Sequence, residues 1–197
     1  MTARTRPVKA LLVFVAVVAA IRLWDAFGVY LSQTVIAALV FLYAPLPHYL
    51  KNGPPAWMRI RDAKITAGLI LLLSLAGAVV YFIFLRAPFT PAPPEQSASL
   101  SPSLAAYLLF LTALPEEVFF RGYLYDAFEE AGWPPVVSTA LLFALAHIII
   151  FPSPYRALTF FPGLVFGWGR KTSGAIFLPV AVHFIYNLLP FAPYIRP

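Results

Sequence analysis

The chain has 197 residues, of which 61% are hydrophobic and 11% charged, with a mean hydropathy of +0.81. An average soluble domain is about 45–50% apolar and about 25% charged, so a soluble globular fold is excluded, and continuous rather than alternating apolar runs exclude a transmembrane β-barrel. There is no cysteine to form a disulfide, a thiolate metal site or a nucleophile, and the net charge of +6 reads as a topology signal rather than as nucleic-acid binding.

Taken in order, the chain reads as an all-α, polytopic membrane bundle of about seven transmembrane helices. The start carries Arg4, Arg6 and Lys9, followed by an apolar run Ala10–Ile21. It resembles a signal peptide, but Arg22 and Asp25 follow with no clean small-x-small cleavage site, so a retained first helix is expected. A second apolar stretch, Phe27–Leu46, ends at Pro45 and Pro47, and His48–Lys64 is polar. The third span, Ile65–Leu85, carries no charge. Prolines 88, 91, 93, 94 and 102 mark an extended connector. A fourth helix starts near Ser103 and runs through Glu116 and Arg121 towards Glu130. The remaining spans are Val136–Phe151, Tyr155–Trp168 and Ala175 to about Leu189. Two parts of one membrane domain are expected: 1–102, the first helices and the connector, and 103–197, a helical core.

Ionisable side chains inside a span are costly, from about 2.5 kcal/mol upward, and mark functional sites by default. Here they are few: Glu116, Glu117 and Arg121 in the fourth span, His147 in the fifth, and His183 with Asn187 in the seventh. Glu117 and Arg121 stand i and i+4 apart, so they share a face and can pair. Phe143 and His147 have the same spacing, as do His183 and Asn187. Glu116 lies about 100° around an α-helix from Glu117, which leaves it outside that pairing and free for chemistry. A carboxylate near imidazoles can activate water as a general base. A neutral histidine N–H and an asparagine amide can donate to a developing oxyanion. Together these are the parts of a hydrolase acting on a carbonyl. Two histidines and a glutamate also make a zinc donor set, and spacing leaves that alternative open.

Three motifs, EExxxR at Glu116–Arg121, FxxxH at Phe143–His147 and HxxxN at His183–Asn187, follow one another on successive hydrophobic spans. In that order they resemble the CPBP family of intramembrane proteases, which includes CAAX-prenyl endopeptidases of the Rce1 type and bacteriocin-processing and immunity proteins. The resemblance covers roughly residues 103–190. It implies that Glu116 activates water and His147 helps to hold it. His183 and Asn187 would form the oxyanion hole, Glu117 with Arg121 would brace the site, and Phe143 would be a wall. A metal-free glutamate protease is expected, because one imidazole is paired with Asn187 as though to donate rather than to ligate. Other intramembrane proteases are excluded by absent motifs: there is no HExxH, no GxSG and no GxGD.

Basic residues cluster at 4–9, 51–64 and 170–171, all on one side if the spans number seven. The positive-inside rule then puts the N-terminus in the cytoplasm of a multi-pass cell-membrane protein. The connector and the C-terminus fall outside, and the site tilts towards the extracytoplasmic half. The expected partners are the lipid bilayer and a membrane-anchored protein substrate. One expected reaction is removal of C-terminal sorting tails, as in myxosortase-like members of the family; bacteriocin-type leader processing is the other. The non-enzymatic alternative is a membrane scaffold or bacteriocin-immunity protein, whose polar cluster serves helix association. A small transporter would need a second matching half, which the chain lacks.

Overall fold

The computed structural model describes residues 5–24, 32–85 and 100–194; the Pro-rich connector lies almost wholly outside them. Among the described residues there are helices and no strands. The long elements are α1 (Thr5–Trp24), α2 (Gln33–Tyr43), α3 (Leu46–Asn52), α4 (Ala63–Leu85), α5 (Pro102–Glu130), α6 (Pro135–Ile150), α7 (Phe160–Ser173) and α8 (Phe177–Leu188). Among the described residues, four helices are long and apolar enough to cross a membrane: Arg6–Trp24, Gln33–Asn52, Ala63–Ile83 and Pro102–Glu130. The helices Pro135–Ile150 and Phe177–Phe191 are apolar but shorter. The protein is a multi-pass helical membrane bundle.

Local chemistry sets the helix ends. Ser32 accepts the Val35 amide at the start of α2, and Asp62 accepts the Lys64 and Ile65 amides at the start of α4. Ser101 caps α5 with Pro102 in its first turn, where the missing amide costs nothing. Gly174 closes α7 at φ 71°, a left-handed conformation that only glycine enters without strain.

Two boundaries differ from the hydropathy reading. The second span does not stop at its prolines. After a turn at Ala44–Pro45 the chain re-enters a helix, with Pro47 in the first turn of α3, and the span runs to Asn52. Proline is harmless in a first helical turn, so the pair Pro45–Pro47 bends the span instead of ending it. Similarly, Pro154–Thr159 forms a short 3₁₀ segment, and α7 begins only at Phe160.

The central helix is α5. Its residues Phe119, Phe120, Tyr123, Leu124 and Phe128 are buried among Phe14, Val17, Val18 and Ile21 of α1, Phe41 of α2, Phe143 of α6, Phe166 of α7 and Val182 of α8. The α1 contributors fall at i, i+3, i+4 and i+7, one face of a helix. Lipid is as apolar as leucine, so close packing and small residues, not the hydrophobic effect, hold such helices together. That holds for α7 against α6. A Cβ on Gly163 would sit 3.2 Å from Ala140 backbone and side-chain atoms, and one on Gly167 would sit 3.1 Å from Val136.

Helix α5 is not a continuous α-helix, as the 100° spacing argument assumed. Its segments Leu108–Ala113 and Val118–Leu124 are π-helical. Pro115 supplies the reason for the first. It has no amide to donate, and the Leu114 amide reaches five residues back to the Leu109 carbonyl. Inserted π-turns of this kind recur at functional sites because they re-aim side chains.

Candidate active site

Glu117 is fully buried, and its Oε1 accepts from two helices at once. Arg121 Nη1 donates at 3.0 Å and His183 Nδ1 at 2.8 Å. An ionised carboxylate only accepts, so the proton on this edge of His183 sits on Nδ1. The opposite nitrogen, Nε2, faces Glu116 Oε2 at 3.8 Å. In the neutral ring Nε2 is an acceptor, and it donates only from the imidazolium.

Arg121 is held at both terminal nitrogens and against two ring faces. Its Nη2 donates to the Gly163 carbonyl at 3.0 Å, and its guanidinium carbon lies 4.5 Å from the Phe143 ring centre and 5.2 Å from that of Phe166. A buried cation against ring faces gains from their quadrupoles. Glycine at 163 matters more for Ala140, which a Cβ there would meet at 3.2 Å, than for Nη2, which it would meet at 3.4 Å.

His147 lies in the last turn of α6, and its Nδ1 donates to the Phe143 carbonyl at 2.9 Å. A carbonyl only accepts, so the Nε2 of a neutral His147 is an acceptor too. On α8, the Asn187 amide nitrogen is buried with no hydrogen-bond partner among the described residues, as is Glu116 Oε2. Glu116, His147, His183 and Asn187 all line one cavity of about 270 Å³. It is closed by Phe41, Thr112, Phe120 and Ile150, with Arg156 also on its wall. Gln33, Tyr107 and Phe151 place it in the half of the bundle away from Lys51, Glu130 and Arg170. Among the described residues, no group of three or more His, Asp or Glu side chains is arranged to hold a metal ion.

The structure thus brings Glu116, His147, His183 and Asn187 to the cavity, while Glu117 and Arg121 lie behind His183. Residues 98–189 match the family model for the type II CAAX prenyl endopeptidase, Rce1-like. This segment is an Rce1-like domain. All three motifs lie within it, and α1 to α4 precede it. The Rce1-like family is one of intramembrane endopeptidases, of the CPBP type. No curated protein and no solved structure matches the chain.

Two features of the Rce1-like domain escaped the sequence reading. Phe166 stacks on His183, with ring centres 4.7 Å apart and planes 17° from parallel, so it fixes the imidazole from the face that Glu117 does not reach. The signal was Gly163-x-x-x-Gly167, a small-residue stripe that lets α7 approach α6 closely. Arg170 is the second. Counted in a basic cluster from the sequence, it is buried, donating to Asp126 Oδ1 at 3.0 Å and to the Arg121 carbonyl at 3.1 Å. Its neighbour Lys171 is exposed.

Proposed function

We propose that the protein is a glutamate-type intramembrane endopeptidase that hydrolyses a peptide bond near the end of a membrane-anchored segment. The observation that carries this reading is the meeting of Glu116, His147, His183 and Asn187 on one cavity, from three helices. In the proposed reaction the Glu116 carboxylate takes a proton from water. The resulting hydroxide attacks the scissile carbonyl carbon. His147 orients the water by accepting its second hydrogen at Nε2.

The tetrahedral oxyanion then gains the unpartnered Asn187 amide as a donor, a preorganised contact of the kind that contributes most to such reactions. His183 adds a second donor from Nε2 when it is an imidazolium. On collapse, the C–N bond breaks and the leaving amine takes the proton held by Glu116. Glu117, with Arg121 behind it, acts through His183 and positions it. The scheme uses no metal, and Glu116, His147 and His183 are the residues through which a zinc would otherwise have to act.

The cavity lies in the half of the bundle away from the basic helix ends. With the basic ends in the cytoplasm, it opens towards the outer leaflet, which suits C-terminal sorting tails of exported proteins. The test is Glu116→Gln in a strain lacking the gene. Processing of tail-bearing membrane proteins should return with wild type and not with the variant. Equal restoration by both would instead support a scaffold or immunity role.

A further inference from the structure

We propose that a second cleft, on the opposite end of the bundle from the cavity, binds the phosphate headgroup of an anionic phospholipid. The cleft has a volume of about 560 Å³, twice that of the cavity above, and shares no residue with it. Its walls are the start of α1, with Arg6 and Lys9, and the end of α3, with His48, Lys51 and Asn52. The last turns of α5 close it through Tyr123, Asp126 and Glu130.

The ion pairs decide its charge. Arg6 pairs with Glu130, and Asp126 is engaged by Arg170 from behind. Each carboxylate in the cleft is therefore already balanced. Lys9 and Lys51 are exposed, face the cleft from different helices, and make no ion pair with any described carboxylate. Tyr123 is buried and forms an aromatic floor with His48, ring centres 5.6 Å apart. Two free ammonium groups over an amphipathic floor fit a singly charged phosphodiester, with the His48 and Asn52 side chains beside it for headgroup hydroxyls.

The position favours a lipid over a soluble anion. The cleft opens at helix ends, where a membrane's headgroups lie, and basic pockets between transmembrane helices on the positive side recruit acidic headgroups. It also lies on a seam. Arg6, Lys9, His48 and Lys51 precede the Rce1-like domain, whereas Tyr123, Asp126 and Glu130 belong to it. A headgroup seated there ties α1 and α3 to α5, so its binding should raise thermal stability by linkage.

The test is the melting temperature of the purified full chain in neutral detergent, titrated separately with dioleoylphosphatidylglycerol, dioleoylphosphatidylcholine and inorganic phosphate. Phosphatidylglycerol should raise it in a saturable way, and the other two should not. A juxtamembrane lysine contributes about 1 kcal/mol, or about fivefold in affinity. Lys9→Gln and Lys51→Gln should each weaken the effect by about that factor, while Lys64→Gln, on a helix outside the cleft, should not. Equal shifts with both lipids, or an undiminished shift in the Lys9→Gln/Lys51→Gln double variant, would overturn the site. A full shift with inorganic phosphate alone would overturn the lipid assignment. No arm depends on proteolysis, so the site stands or falls separately from the proposed reaction.

Discussion

Replacing Glu117 by glutamine keeps the shape of the side chain and removes its charge. Glu117 Oε1 accepts from Arg121 at 3.0 Å and from His183 at 2.8 Å, and the Glu117 and Arg121 side chains are both fully buried. Two magnitudes compete. A neutral interhelical hydrogen bond in a membrane averages about 0.6 kcal/mol, whereas breaking a buried ion pair by removing one partner costs about 3–5 kcal/mol. The larger one applies, because Arg121 pairs directly with Glu117, its other contacts, the Gly163 carbonyl and the Phe143 ring, carry no net charge, and Glu116 acts on it only from farther away. Glu117→Gln should therefore destabilise the protein by about 3 kcal/mol, and Arg121→Met by a similar amount.

The double variant buries no uncompensated charge. Its loss should fall short of the sum of the singles by about 2 kcal/mol, a coupling within the range for residues in contact. Unfolding of the four proteins in mixed micelles measures this cycle. Activity should behave differently, because neither Glu117 variant can anchor His183 Nδ1 with a charge. A comparable carboxylate-to-amide change beside a catalytic imidazole costs about 10⁴-fold in kcat. The double variant should thus regain stability without regaining turnover. Additive losses, or a Glu117→Gln loss under about 1 kcal/mol, would refute the buried-pair argument; full turnover in the double variant would refute the positioning role.

Three further outcomes follow from the site. Asn187→Ala should lower kcat by about 10²–10³-fold with little change in KM, since the proposed contact forms with the oxyanion and not with the ground state; steady-state kinetics on a processed substrate would show this. Gly163→Val should wedge α7 from α6 and displace Arg121, lowering both the melting temperature and activity, whereas the exposed Gly68→Ala should do neither. Extended treatment with a zinc chelator should leave turnover unchanged, and loss of activity restored by added zinc would overturn the metal-free scheme.

Much of the fold was written into hydropathy, because a bilayer imposes a length on each apolar run that a solvent does not. The span α4 and the all-helical class follow from that constraint. So does the Glu117–Arg121 pair, since i and i+4 remain neighbours whether a turn is α or slightly wider. The three spaced motifs likewise contain Glu116, His147, His183 and Asn187, which line the cavity, because a polar group in a span has nowhere to go but inward.

What lay beyond the sequence is whatever depends on which helix stands beside which. The tautomer of His183 follows from Glu117, 66 positions away, and Phe166 stacks on that ring from a helix between the two motifs. The prolines at 45 and 47 bend a span instead of ending it, and Pro115 opens the stretch of α5 before it into a π-turn. Arg170 reads as one of a basic cluster until Asp126, 44 residues earlier, is found beside it. Periodicity reports which face of a helix is polar. Only packing decides which partner satisfies that face, because hydrogen bonds and ion pairs depend on distances between segments, and no local pattern encodes those.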